Sequence, residues 1–426
     1  MTIACILGRT PQLAQKEIEA TATILPFLWS AYSVQPDVLL LKDITEPPAP
    51  GTYDKALADR KSAETLVVLS QLQERLGGTL KIVEIVTQVD RAQLAGTIAG
   101  ILQKKEGRIE FGISVYGKGL QSLMLGLNVK KALKGTGRSV RMITSKDGET
   151  LSTAQVTHNR LASYGRTYAP GPGTEIVLIK DQSQFWVGVT RTVQDIDSYS
   201  KRDFSIPVPD PASGMLSPKL AQTMINLSGA HKGDMIYDPF CGNGRVVEEA
   251  LLMGCKSFGS DIEPEKVKAS RRNTDWMIQE YNLPVSSSAE ELVWQQDATA
   301  KNAADAILVI LKPGFSWFLV AEPYLGKPLR NPLTKKEGEA WLAELSRLYL
   351  GFFEVWQTVN IAQRPKNMVL VFPTAKTVDD SQISLLKSVF DRLGEMGYSV
   401  KQVAEYGRPD ALVNREIVCV SYVSQI

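Results

Sequence analysis

Met235-Ile236-Tyr237-Asp238-Pro239-Phe240-Cys241-Gly242-Asn243-Gly244-Arg245 is the stretch that decides how this 426-residue chain is read. Ile236 and Tyr237 close a short apolar run of the kind that forms a buried strand. Asp238 follows, and Gly242 and Gly244 mark a tight turn. Val246 through Leu252 then space their apolar side chains as a helix does. A strand that passes through a small-residue turn into a helix lets a ligand approach bare backbone, and the helix N-terminus favours its negative groups. Any nucleotide suits such a turn, and a ligand-free strand-turn-helix has the same outline. A dinucleotide fingerprint needs a third glycine where this chain has Val247, which counts against NAD(P).

Two further acids lie at informative distances. Phe258-Gly259-Ser260-Asp261-Ile262 is a short strand ending in a carboxylate, 23 residues after Asp238. In a doubly wound sheet the second strand lies beside the first, and an acid at its carboxyl end can hold both ribose hydroxyls. Asp261 also precedes Glu263-Pro264-Glu265, the opening of a helix, so a capping role is open as well. Asp297, in Gln295-Gln296-Asp297-Ala298-Thr299, closes a third strand region, either against an adenine amino group or as a solvated loop residue. The motif from Asp238 to Arg245 resembles the first motif of S-adenosylmethionine-dependent methyltransferases, in the form carried by enzymes that methylate exocyclic amines of nucleobases. That resemblance implies S-adenosyl-L-methionine as cofactor, bound around Asp238, Phe240, Gly242, Asn243, Gly244, Asp261, Ile262, Asp297 and Ala298.

The apolar strand Trp317-Phe318-Leu319-Val320 leads into Ala321-Glu322-Pro323-Tyr324-Leu325-Gly326. Amino-methyltransferases carry an acid or amide, two prolines and an aromatic at this point. An exocyclic amine is a poor nucleophile because its lone pair is delocalised into the ring. A carboxylate with a backbone carbonyl can hold its hydrogens and aim the lone pair at the methyl group. An aromatic side chain stacks on a base drawn out of its helix. Pro323 and Tyr324 fit, whereas Ala321 stands at the usual acid position and Glu322 comes one residue late. Either Glu322 takes the role with a longer reach, or the site is altered. The catalytic candidates are Glu322, Pro323 and Tyr324.

The remainder of the chain sets the setting. With 44% apolar and 22% charged residues it reads as a soluble multidomain protein. No apolar run reaches membrane-spanning length and no signal-like core opens the chain. Cys5, Cys241, Cys255 and Cys419 lie far apart with no paired spacing. They fit reduced thiols in a cytoplasmic protein, and no metal is expected. Only His158 and His231 are available for histidine chemistry. The net charge of +2 hides an asymmetry: residues 101–170 hold 12 Lys/Arg against 4 Asp/Glu, a balance of +8, so the rest carries −6. Concentrated positive charge is the footprint of a phosphate-backbone binder, although a solvated charged face gives the same count. Lys130, Lys131, Lys134 and Arg141 are the candidate RNA contacts.

Alternating strand and helix patterns divide the chain into four expected segments. Residues 1–85, with strands at 3–7, 38–41 and 80–85 and helices at 11–22 and 56–76, suit an α+β domain of ferredoxin-like kind. Residues 86–190 hold a helix near 91–102, a strand at 111–117, the lysine-bearing helix ending at Gly135-Thr136-Gly137, a strand at 139–143, and a hairpin turning near Lys180–Ser183. Residues 191–216 are an extended connector with Pro207, Pro209 and Pro211. Residues 217–426 form a doubly wound, Rossmann-like α/β domain opened by Ser217-Pro218, a capped helix start. Taken together, the chain resembles the tRNA guanosine N2-methyltransferases with a THUMP domain, nearest those acting on guanosine 10 of tRNA in archaea and eukaryotes. The segments that carry this are Leu76–Ile82, Phe111–Gly117, Val129–Lys134, Ser139–Arg141, Val193–Ile196, Arg202–Phe204, Gly214–Ala221 and the motifs above. The resemblance implies that tRNA is the partner, gripped by the amino-terminal domains while the carboxyl-terminal domain methylates one guanine in a flipped state, the chain acting as a monomer or with an accessory subunit. A non-catalytic tRNA-binding protein that keeps the fold, or an amino-methyltransferase acting on another base of DNA or RNA, stands as the alternative.

Overall fold

The structure, a computed structural model, describes residues 1–21, 29–43, 66–145, 148–164, 172–210, 215–311, 316–408 and 410–423. Two compact units account for the chain: residues 1–15 with 22–198, and residues 16–21 with 199–426.

The first unit contains β1 (Thr2–Leu7), α1 (Pro11–Thr21, shared between the units), β2 (Trp29–Gln35), β3 (Val38–Asp43), α2 (residues 66–75) and β4 (Thr79–Asp90). It continues with α3 (Leu94–Gln103), β5 (Ile109–Tyr116), α4 (Ser122–Leu133), β6 (Val140–Ile143), α5 (Thr153–His158), β7 (Ser163–Tyr164), β8 (Thr174–Asp181) and β9 (Gln184–Val193). The strands form one sheet in the order β2-β3-β1-β4-β9-β8-β5-β6, with β7 alongside β9. β1 pairs antiparallel with β3 and β4, and β5 pairs parallel with β6 and β8. Ile3 to Leu7 are buried on both faces, as a central strand requires. Strand β2 has no counterpart in the sequence reading. Its residues Trp-Ser-Ala-Tyr-Ser-Val-Gln are largely exposed at a sheet edge, so no apolar alternation marks them. The expected segment break at residue 85 falls inside β4, which pairs with β1 through its first half and with β9 along most of its length. Of the helix expected over 56–76, residues 56–65 lie outside the described residues.

A buried ion pair ties this sheet together. Lys81 on β4 sits 2.5 Å from Glu175 on β8, with both side chains almost wholly excluded from water. Ser114 and Thr190 hydroxyls each donate to Glu175 at 2.6 Å, and Lys81 Nζ also donates to the Leu151 carbonyl at 2.8 Å. Such completeness is what makes a buried pair tolerable, and removing one partner costs about 3–5 kcal/mol.

The second unit begins within α6 (Ile196–Phe204). Part of the expected extended connector is thus helical, and β9 reaches Val193; Pro211 lies outside the described residues. Then follow α7 (Pro218–Ser228), β10 (Met235–Asp238), α8 (Arg245–Leu252), β11 (Lys256–Asp261), α9 (Pro264–Glu280), α10 (Ala289–Leu292), β12 (Val293–Gln295), α11 (Asp305–Ile310) and β13 (Trp317–Ala321). The unit ends with α12 (Lys335–Thr358), β14 (Met368–Lys376), β15 (Gln382–Ser384), α13 (Leu385–Glu395), β16 (Tyr398–Tyr406) and β17 (Val413–Tyr422). The order is β12-β11-β10-β13-β14-β17-β16, with β15 on β14. Strands β10 to β14 run parallel, and β17 is antiparallel to both β14 and β16. Helix α7 starts as its sequence dictates: Ser217 accepts from the Leu220 N–H at 3.3 Å, Pro218 occupies the first turn, and Gly229 closes the helix at φ +83°. Helix α12 opens on a Thr334/Glu337 capping box and buries Trp341, Leu345, Tyr349, Phe352 and Trp356 along one stripe. These meet Tyr237, Trp317, Phe372 and Tyr398 in an aromatic core, which sets β10 and β13 rigidly beside each other.

Candidate functional site

The strand order reverses at β10, with β11 and β12 on one side and β13 on the other, so the carboxyl ends of β10, β11 and β13 frame a crevice at the switch point. Each of these strands ends next to an acid: Asp238, Asp261 and Glu322.

The turn between β10 and α8 is built by its own polar groups. Asp238 is buried and accepts from the Phe240 N–H at 2.9 Å. Burial pushes its carboxyl well above the usual range, and the nearby charges of Asp261 and Glu322 push the same way. Gly242 stands at φ +51°, and a side chain there would project into open space. Gly244, the residue before α8, stands at φ +98° and packs so tightly on Ser270 that a Cβ would lie 2.6 Å from the hydroxyl. Both glycines are therefore required, the first for backbone conformation alone and the second for conformation and close approach.

Asp261 joins the two halves of the crevice. One carboxylate oxygen accepts from the Gly242 N–H and the other from the Glu263 N–H, both at 2.9 Å. These bonds fix the start of the chain toward α9 and clamp the glycine turn. Burial raises its carboxyl above the usual range, and the two backbone hydrogen bonds pull the other way. Ile262 beside it is 58% exposed, an apolar surface at the crevice edge. Asp297 accepts from both the N–H and the hydroxyl of Thr299, at 2.8 and 2.7 Å, an Asx turn that holds the loop after β12.

Three expected site residues spend their side chains elsewhere. Asn243 donates to the Val208 carbonyl at 2.9 Å. Phe240 packs on Phe352 with ring centres 5.4 Å apart, and Ala298 belongs to the core of the unit. Their backbones still line the loops. Asn273, which the sequence reading did not single out, holds both the Val208 N–H and its carbonyl and also donates to the Asn243 carbonyl. A lone asparagine in a polar helix gives no local signal of that task.

After β13, Glu322 is half-buried, Pro323 is buried and Tyr324 is 43% exposed. Glu322 does not stand alone. Arg415 of β17 places Nε 2.5 Å from Oε1 and Nη2 3.5 Å from Oε2. Burial works against the charge of Arg415, and the Glu322 carboxylate outweighs it, holding the guanidinium above its usual range. Gly326 ends the loop at φ +93°, with a Cβ position 2.3 Å from the Trp341 indole nitrogen. The sequence reading missed Arg415 because it lies 93 residues from Glu322, on a strand of opposite direction.

In the first unit, Lys130, Lys131 and Lys134 are exposed on α4 and the turn after it, while Leu125, Val129 and Leu133 bury the opposite stripe. Arg141 on β6 is about half exposed and lies 3.8 Å from Glu110, which Arg108 also approaches at 3.1 Å. Among the described residues there is no cluster able to hold a metal ion and no helix long and apolar enough to cross a membrane. None of the four cysteines takes part in a disulfide bond.

Comparison with known proteins bears on the crevice. Residues 209–306 match the model of the UPF0020 family, an RMKL-like methyltransferase domain. A tRNA (guanine(10)-N2)-dimethyltransferase of Methanothermobacter thermautotrophicus is 45% identical over 83 residues, which is 20% of this chain and 22% of that protein. An enzyme of the same name from Pyrococcus abyssi is 28% identical over 195 residues, 42% of this chain and 56% of that protein. The matches thus span little more than half of these relatives at most. The crystal structure of TrmN from Thermus thermophilus superposes with a TM-score of 0.51 at 14% identity, covering 99% of this chain and all of that one, a likeness of fold alone. A mixed α/β chain with two sheets, whose residues 209–306 around the glycine turn match a methyltransferase-domain model, is what sequence and fold agree on.

Proposed function

We propose that this chain is an S-adenosylmethionine-dependent tRNA (guanine-N2)-methyltransferase, with guanosine 10 of tRNA as the target. The observation that carries the reading is the crevice at β10, β11 and β13: an open glycine turn, a carboxylate with spare acceptor capacity on the next strand, and an acid-Pro-Tyr loop opposite. The residues fit the cofactor. A carboxylate offers about four acceptor positions, and Asp261 uses two on backbone N–H groups, leaving two for a ribose diol. Gly242 leaves open space before the turn, Ile262 offers an apolar surface for an adenine, and Asp297 retains an oxygen beyond its Asx turn. S-adenosylmethionine supplies an electrophilic methyl group on a sulfonium when bound. Glu322 accepts an N–H of the guanine amine, the backbone near Pro323 accepts the other, and exposed Tyr324 stacks on the base.

The amino-terminal unit is read as the tRNA grip. The order β2-β3-β1-β4, antiparallel throughout and built as strand-helix-strand-strand-helix-strand, supports a ferredoxin-like arrangement for residues 1–85. Residues 86–190 are assigned to a THUMP domain, 191–216 to the connector and 217–426 to catalysis, in a protein of the cytoplasm. The relatives' printed activity supports tRNA and the N2 amine as substrate. One observation favours the non-catalytic alternative: the Glu322 carboxylate already has a cationic partner. The experiment is methyl transfer from labelled S-adenosylmethionine to unmodified tRNA, followed by nucleoside analysis. N2-methylguanosine or its dimethyl form is expected. Binding of cofactor and tRNA without any methylated nucleoside would hand the chain to the non-catalytic reading.

A further inference from the structure

The pairing of Glu322 with Arg415 is not an ordinary surface contact. Exposed ion pairs fluctuate and contribute little, whereas these side chains are only 17% and 20% exposed, and the guanidinium meets the carboxylate side-on through Nε and Nη2. Fork geometry of this kind fixes orientation as well as charge. Its location matters too. Asp238 feels the charge of both Asp261 and Glu322, so three carboxylates crowd one end of the sheet. An unpartnered glutamate in that field is repelled by its neighbours, and its flexible stem allows several rotamers. At the other end of the same loop, Gly326 packs against the buried Trp341 indole too closely for any side chain. The loop from 322 to 326 is thus held at both ends, by an ion pair and by an aromatic wall.

We propose that Arg415 is the positioning residue for the amine-holding carboxylate: its fork holds Glu322 closely at Oε1 and loosely at Oε2, fixing the carboxylate so that Oε2 also accepts from the amine of the base. The proposal rests on the methyltransferase reading above. It also accounts for the displaced acid. Glu322 follows Ala321, one place later than the acid of the related motif, and its longer side chain needs a tether that a shorter acid does not. Arg415 forms and breaks no bond in the transfer and acts only through Glu322.

The test is single-turnover methylation of tRNA by the full chain as wild type, Arg415→Met, Arg415→Lys, Glu322→Gln and the Arg415→Met/Glu322→Gln double variant, with cofactor and tRNA affinities measured alongside. Loss of the tether should slow transfer about 100-fold in Arg415→Met, the scale of a misplacement of about 1 Å, with both affinities unchanged. Arg415→Lys keeps the cation without the fork and should recover part of that rate. The double variant should be no slower than Glu322→Gln alone, because a residue that acts through another adds nothing once its partner is gone. If Arg415→Met folds poorly, Arg415→Lys decides: a wild-type rate there overturns the fork. An active wild type beside an Arg415→Met of equal rate, or a double variant that multiplies the two single losses, overturns the positioning role and leaves the methyltransferase reading intact. A wild type that binds cofactor and tRNA but transfers no methyl group overturns that reading, and this role with it.

Discussion

At the end of β11, Asp261 accepts one backbone N–H on each carboxylate oxygen, and those two donors belong to different loops. Those bonds give the side chain a structural task, and substitutions test the ligand-facing task proposed for it. Asp261→Ala should remove acceptors worth roughly 1.5–3 kcal/mol each to a ribose diol, weakening S-adenosylmethionine by tenfold or more on that scale. Asp261→Asn should be nearly as damaging, because its amide NH2 would face one of the two backbone donors. Calorimetric titration with the cofactor measures both, and unchanged affinity in Asp261→Ala would remove the ribose assignment. Residues of this kind were legible because they are local: strand, acid, turn and helix follow one another within a few residues of sequence. What the motif did not tell is where each side chain spends its hydrogen bonds. Asn243 was legible as part of the turn but not as the residue that grips Val208. Arg415 carried no signal at all, since its partner is distant in sequence and a lone arginine in a strand reads as a solvent-facing residue.

Helix α8 shows the same limit one level up. Its apolar spacing marked it as a helix, yet Arg245, Glu248 and Glu249 are buried along with its valines. Nothing local announces this, because one partner, Arg202 on α6, is 47 residues from Glu249, to which it donates at 2.7 Å. Arg245 donates to Glu248 at 3.0 Å, and Glu248 Oε1 has no hydrogen-bond partner among the described residues. Burial, the largest effect, raises the Glu248 carboxyl from 4.5 to about 7, with Arg245 opposing. The consequence for stability has a definite sign. Between those values the folded state holds a proton that the unfolded chain has lost, so this contribution is complete below about 4.5 and is lost as pH rises through about 7. At ~1.4 kcal/mol per unit, the loss is on the order of 3 kcal/mol. Asp238 and Asp261 are shifted in the same direction and add to it. Urea unfolding of the wild type should therefore show stability falling from pH 5 to 7.5, and Glu248→Gln should flatten that slope whatever its absolute stability. An equal slope in the two proteins would show that Glu248 titrates normally. The same blindness to context hid α6: Ile-Asp-Ser-Tyr-Ser-Lys-Arg-Asp-Phe is polar enough to read as connector, but Tyr199 and Arg202 are buried in the folded chain.

Over the whole chain, charge is distributed by segment, and this is where sequence alone came closest to partner choice. The balance of +8 over residues 101–170 was visible as a count; whether it formed a surface was not, because a count cannot say which cations are already paired. The structure divides them. Lys105 donates to the Gly173 carbonyl, Arg138 to the carbonyls of Gly107 and Gln103, and Arg108 and Arg141 share Glu110. Lys130, Lys131 and Lys134 stay exposed near the end of α4, with Lys130 and Lys134 as i,i+4 neighbours. If phosphates lie against them, neutralising Lys130, Lys131, Lys134 and Arg141 together should lower tRNA affinity without changing that for S-adenosylmethionine, and should flatten log K against log salt by about 0.7–0.9 for each lost contact. Arg141 should account for the least of this, because an incoming phosphate must compete with Glu110 for its guanidinium. The measurement is tRNA binding across a salt series for wild type, the quadruple variant and a triple variant that retains Arg141. Nearly coincident curves for the two variants, both flatter than wild type, are expected. Three parallel curves of equal affinity would remove the end of α4 from the RNA surface and turn attention to Lys104, which is exposed on the neighbouring segment after α3.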